Sequence, residues 1–151
     1  MIQHTFSIAA AIGLSLGATL AQAQATPAGL WKTIDDETKQ EKSLVRINEV
    51  GGVYTGKIEK LLNPQMKPDA VCDKCSDDRK DKPILGMTII KGVKQSDSDK
   101  AMWDGGEILD PNNGKTYKVR LTPVDDGKTL AVRGYVGAPL LGRTQSWVRV
   151  E

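Results

Sequence analysis

Beyond an apolar opening stretch, hydrophobic and polar positions alternate in short runs, and no run keeps the three-to-four spacing of an amphipathic helix. The runs are "LWKTID", "SLVRINEV", "VYTGKIEKLL", "ILGMTIIKGV", "AMWDGGEILD", "KTYKVRLTPV", "TLAVRGYV" and "TQSWVRV". Each has a strand's length, is rich in β-branched or aromatic residues, and is bounded by turn signals. Alternation is cleanest in the sixth and seventh. Tyr117, Val119 and Leu121 take one face, against Lys118 and Arg120. Leu130 and Val132 then oppose Arg133 and Tyr135. Gly51-Gly52, "KQSDSDK", "PNNG" and "DDGK" supply the turns, and Asn63 to Pro83 reads as one long loop.

About eight strands in sequential hairpins predict an all-β domain. An antiparallel up-and-down barrel is the expected form, because closure removes the exposed edges; a β-sandwich is the alternative. A barrel of that size is either filled by side chains or holds one small ligand. The segments "WDGGEILDPNNGKTY" and "RGYVGAPLLGRTQSW" are rich in glycine, but neither carries Gly-Lys-Ser/Thr nor opens a helix, so neither is a phosphate loop. Gly105, Gly106, Gly134, Gly137 and Gly142 are expected to mark bulges or tight bends.

The opening stretch changes the chemistry available to the rest. Residues 1–25 hold no Asp, Glu, Lys or Arg, have an apolar centre from Phe6 to Leu20, and end in small residues at alternate positions. That pattern predicts a secretory signal peptide over residues 1–23, cleaved after Ala23 or Ala25, and a single mature domain over 24–151. His4 would leave with it, and the chain has no other histidine. A Ser-His-Asp triad, a Cys-His pair and any His-containing zinc site are thereby excluded from the mature form. The formal net charge is +2 at pH 7, with basic residues spread along the chain and few aromatics among them, so no nucleic-acid partner is indicated. No second apolar run reaches membrane length, which argues against an integral membrane protein.

Both cysteines stand in "AVCDKCSDDRKDKPILG", as Cys72-x-x-Cys75. This spacing fits a zinc half-site, a redox couple or a disulfide. Zinc lacks partner ligands here, and the polar, proline-bearing flanks give no helix N-terminus to stabilise a thiolate. An exported chain with two cysteines is expected to join them in a structural disulfide. No metal site and no cofactor are expected.

The stretches "GLWKTIDDETKQ", "CDKC…DKPILGMTII", "WDGGEILDPNNGKTY" and "RGYVGAPLLGRTQSWVR" together closely resemble the bacterial domain of unknown function 2147, from Gly29 to Arg149. The resemblance implies a periplasmic, lipocalin-like barrel and brings no established activity. In the wider calycin architecture the barrel opens with Gly-x-Trp and packs that Trp against an Arg of the last strand. Here this implies a barrel-end plug of Gly29, Trp31 and Arg149, with Arg143 the other late arginine.

Three functions are compatible with this sequence. In the first, the barrel binds a small apolar or amphipathic ligand, with Trp103, Tyr117, Tyr135 and Trp147 lining its mouth and Arg133 or Arg143 meeting a carboxylate or phosphate head group. In the second, the barrel is packed and serves as a structural or protein-interaction module of the cell envelope, with the long loop as contact element. In the third it is an enzyme using Asp104, Glu107 or Asp110; such residues in strands and turns are more often solvated or turn-capping. Non-catalytic ligand binding is the expected function.

Overall fold

The structure, a computed structural model, describes residues 24–151. The signal peptide expected over residues 1–23 lies outside the described residues. Eight strands form: β1 (Gly29–Ile34), β2 (Glu41–Val50), β3 (Val53–Leu61), β4 (Thr88–Gln95), β5 (Trp103–Asp110), β6 (Lys115–Val124), β7 (Thr129–Tyr135) and β8 (Arg143–Arg149). They join in sequence order into one closed antiparallel barrel. The ring closes where Trp31 pairs with Arg149 and Lys32 with Val148, reinforced by Leu30 N–H to Glu151 O and Val150 N–H to Leu30 O. Sequential hairpins are sufficient for this meander, and closure leaves no strand edge unpaired.

The period-two pattern decides which side chains face inward. Val45 lies opposite Trp31 and Ile58, Val119 opposite Gly134 and Gly106, and Leu121 opposite Val132 and Trp103. Except for the glycines, these positions are buried. The strands alternate in direction, so the barrel has two distinct ends. One carries the short turns at Gly51-Gly52, at 96–102 and at 125–128. The other carries loops 35–40, 62–87, 111–114 and 136–142.

The short-turn end is packed shut. Trp31 has no exposed surface, and its indole N–H donates to Pro27 O at 2.8 Å. The Arg149 guanidinium lies 4.1 Å from the centre of the indole ring. It also donates to the carbonyls of Gly127, Ala28 and Thr26 at 2.5, 2.8 and 2.9 Å. One side chain thus stacks on the core and ties the leading segment and the β6–β7 turn together. Burial pulls the Arg149 guanidinium below its ordinary pKa. At Gly29, where φ is +142°, a side chain would overlap the Arg149 guanidinium, so the plug needs glycine there.

The long loop runs further than its composition suggests. Ile84 to Met87, read from sequence as the start of a strand, belong to it. Ile84 N–H bonds to Ala70 O, and Gly86 takes a φ of +84° before β4 begins at Thr88. Cys72 and Cys75 form a disulfide with a Cα separation of 5.5 Å. Both are buried, as are Ile84 and Met87, and all four join the same buried cluster as the barrel interior, so the loop packs onto the barrel end. It rests on the β5–β6 turn. A side chain at Gly114 would overlap the backbone of Lys74, so the two segments touch backbone to backbone. The Gly105 reading as a bulge matches its φ of +79° and the register shift between Trp103 and Gly106.

A four-residue ring stabilises by about 2 kcal/mol in the chain-entropy account. The Cys72→Ser/Cys75→Ser double variant should therefore lose about that much, with an intact barrel by circular dichroism. Wild-type protein denatured without reductant should bind no thiol label. Two labelled thiols per chain would refute the bridge.

The loop is also held by Arg79, which is buried. It takes Asp77 through both carboxylate oxygens and donates to Thr88 O at 2.9 Å. Hydrogen bonds from the Arg79 side chain and then its backbone N–H hold the Asp77 carboxyl down from 3.8 to about 2. Because the folded value lies below that of the unfolded chain, this contribution is complete above 3.8 and disappears as pH falls through about 2. Pepsin cleavage within the loop should accelerate across that window, and the Asp77 carboxyl carbon shift should titrate near its lower edge. A midpoint at the ordinary carboxylate value would show that the pair does not form.

Candidate functional site

The end with the long loops is not packed. A cavity of about 250 Å3 sits in this half of the barrel. Its walls are Ile58 of β3, Ile89 of β4, Ile108 of β5, Val132 of β7 and Trp147 of β8, with Met66 and Ile84 of the long loop above them. Gly134 of β7 faces it without a side chain, which leaves space where its neighbours fill theirs. The long loop is therefore a folded cover over part of the mouth.

Polar groups are few and sorted by depth. Thr33 and Ser43, paired across β1 and β2, satisfy each other hydroxyl to hydroxyl at 2.8 Å. Gln145 accepts from the Trp147 indole N–H at 3.3 Å. At the rim, Asn113 donates to the Tyr117 hydroxyl at 3.0 Å, and Lys42 and Arg143 bring positive charge. Arg143 is engaged: it forks onto both Asp36 oxygens at 2.6 Å and reaches Glu37 at 3.3 Å. Those bonds hold the Asp36 carboxyl below the usual carboxylate range and raise the Arg143 guanidinium. Lys42 Nζ stands 4.0 Å from Asp35, a loose contact in a half-exposed setting. An apolar chamber with a polar, partly cationic rim suits a small molecule with one apolar end and one polar end.

The structure brings together some of the residues singled out from sequence and separates others. Tyr117, Arg143 and Trp147 line the cavity. Trp103 points inward at the opposite, packed end, edge-on to Tyr54 with ring centres 6.1 Å apart. Arg133 and Tyr135 lie on the outer face. The Arg133 guanidinium donates to Pro139 O, Leu140 O and Thr144 Oγ1, and the Tyr135 ring lies under Arg120 at 5.8 Å. Trp103, Arg133 and Tyr135 therefore do not reach the mouth. Sequence reasoning missed Thr33, Lys42, Ser43 and Gln145, which the alternation of β1, β2 and β8 could have flagged as polar residues beside or between inward positions. It also missed Met66 and Ile84, for which an aperiodic loop gives no signal.

The carboxylates do not converge. Asp104 and Glu107 lie on the outer face of β5 opposite Lys94 and Lys91, and Asp110 caps its own turn through Asn112 N–H at 2.9 Å. Among the described residues no cluster of three or more His, Cys, Asp or Glu side chains could hold a metal ion, and no helix is long and apolar enough to cross a membrane.

Residues 29–149 match the family described as "Uncharacterized protein conserved in bacteria (DUF2147)". The chain belongs to this family. No curated protein matches it in sequence. Among solved structures, this DUF2147 chain is similar to protein HP1028 from Helicobacter pylori, whose description places it in the lipocalin family. The TM-score is 0.70, with 18% sequence identity over 84% of each chain. At that identity the likeness shows the fold alone, a lipocalin-like barrel.

Proposed function

We propose that this DUF2147 protein is an exported, non-catalytic binding protein of the periplasm that holds a small amphipathic molecule in its covered cavity. One observation carries the reading: buried Trp31 and Trp103 fill the short-turn end, while the other half of the barrel keeps about 250 Å3 of mostly apolar space behind a polar rim. A cavity of about 150 Å3 holds a benzene, so this one accommodates on the order of ten non-hydrogen atoms. That size favours a short-chain or single-ring amphiphile over a long-chain lipid. Lys42 at the rim is placed to meet a carboxylate or phosphate head, and Arg143 can do so by exchanging part of its Asp36 and Glu37 contacts. Export is supported by the leader-like composition of residues 1–23 and by the disulfide.

An anionic, environment-sensitive fluorophore of about this size, titrated against wild type and Lys42→Ala, tests the reading. Saturable one-site binding that weakens in Lys42→Ala is expected. Binding that is equal in both, or that never saturates, would contradict it. With no histidine in the described chain, affinity should not change with an imidazole's titration near neutral pH.

A further inference from the structure

The β7–β8 connection carries a concentration of exposed apolar surface that the barrel does not use. Val136 is 69% exposed, Leu140 87% and Leu141 79%. The last two belong to a single helical turn, Pro139–Leu141, at the cavity end of the barrel. Six residues thus hold three large aliphatic side chains facing water, which a soluble surface does not need.

The turn is built to hold them there. Leu141 N–H bonds to Ala138 O and Gly142 N–H to Pro139 O. Arg133 donates from below to Pro139 O at 2.7 Å and Leu140 O at 3.3 Å, and fixes Thr144 at 2.8 Å. The polar backbone is therefore satisfied toward the barrel, while the leucines point away from it.

The outer face that continues from this tip is basic. Arg120 stands directly opposite Arg133, and Lys118 opposite Tyr135. Like charges placed in register across a sheet are unfavourable in isolation. Asp104 lies opposite Lys94 and 4.0 Å from Arg120, and Glu107 lies opposite both Lys91 and Lys118, so each carboxylate is shared between two cations. Arg133 has no carboxylate partner among the described residues. The sheet face therefore has a surplus of positive charge next to a convex apolar tip.

We propose that this end of the barrel docks on an anionic lipid surface, with Leu140 and Leu141 entering the headgroup boundary and Lys118, Arg120 and Arg133 facing the lipid phosphates. Charge complementarity selects the occupant. A convex tip of two leucines needs no preformed pocket in a deformable lipid layer, whereas a protein partner would have to supply one along with a far larger matched area. Docking in this orientation turns the cavity mouth toward the membrane. The inference stands on the tip and the outer face, independently of any cavity ligand.

The test is cosedimentation with vesicles, using the protein in the form the producing cell accumulates, its N-terminus read by mass spectrometry. Vesicles of phosphatidylcholine alone are compared with vesicles containing about one-third phosphatidylglycerol. Wild type should bind the anionic vesicles and lose binding as salt is raised. Leu140→Ser/Leu141→Ser should lower the partition at least about tenfold, and Lys118→Glu about fivefold or more. Both substitutions are on exposed positions, and unchanged circular dichroism and melting temperature confirm the fold in each. Binding that ignores lipid charge, or that survives the leucine changes, overturns the proposal. So does absence of vesicle binding, and leucine-dependent self-association in sedimentation velocity would then assign the tip to a second copy of the chain.

Discussion

Replacing Trp31 with alanine is expected to destabilise the protein by about 3–5 kcal/mol, the cost of truncating a fully buried large aromatic. Trp31 is wholly enclosed, and its loss would remove three things at once. The floor of the barrel would lose a large filler, Pro27 O its indole donor, and Arg149 the surface on which it stacks. The guanidinium would then stand over a void, still bonded to three carbonyls of the leading segment and the β6–β7 turn. For a domain of this size the melting temperature should fall by roughly 10–20 °C. Trp31→Phe should recover much of the packing but not the hydrogen bond to Pro27, and should fall between the two. A Trp31→Ala variant that melts with the wild type would show that the plug contributes nothing to stability.

The second large effect concerns the cavity. Gly134→Leu should abolish or weaken ligand binding at least about tenfold while leaving melting unchanged or raised. Gly134 faces the chamber, and a Cβ built there meets the Tyr117 side chain at 3.5 Å, an ordinary contact. Its backbone is in the extended conformation of a strand, so a side chain introduces no strain. The added isobutyl group extends into free space and takes up volume that a ligand needs. Filling a void without overpacking adds contacts that the wild type lacks. A variant that loses binding but keeps its fold separates the cavity from any adsorption at the exposed Leu140–Leu141 tip. Unchanged affinity would mean that the ligand does not enter the chamber.

The barrel was legible because its signal is repeated. Eight alternating runs and sequential turns leave few topologies, and the strict alternation of β6 and β7 assigns faces residue by residue. The same alternation already separates Tyr117 from Arg133 and Tyr135. Grouping them at one mouth on the strength of side-chain type overrode the periodicity. Trp103 illustrates a different difficulty. It does face inward, but height along the axis depends on strand direction. In the β5–β6 hairpin Tyr117 pairs with Ile108 near the turn, whereas Trp103 pairs with Leu121 far from it. Reading the hairpin register would have placed the two aromatics at opposite ends. The cover over the mouth was the least legible part. Met66, Ile84 and the disulfide are positioned by contacts across the loop and onto the β5–β6 turn, and such contacts leave no periodic trace in sequence. The start of β4 is hidden for the same reason: "ILGM" is loop, its Ile84 and Met87 buried by contacts across the fold, and it reaches β3 only through backbone hydrogen bonds of Gly86 and Met87 to Ile58.

The proposed ligand site is the chamber of a half-open barrel, whose volume limits what fits there. The most direct measurement is calorimetric titration of the protein with straight-chain carboxylates from butanoate to hexadecanoate. Affinity should rise along the series to a maximum near octanoate, about the ten non-hydrogen atoms that the chamber holds, and then fall as the chain outgrows the space beneath the cover. In Gly134→Leu the maximum should move to shorter chains or vanish. Absence of saturable binding across the series, or affinity that climbs steadily through hexadecanoate in both proteins, would contradict a size-limited cavity site.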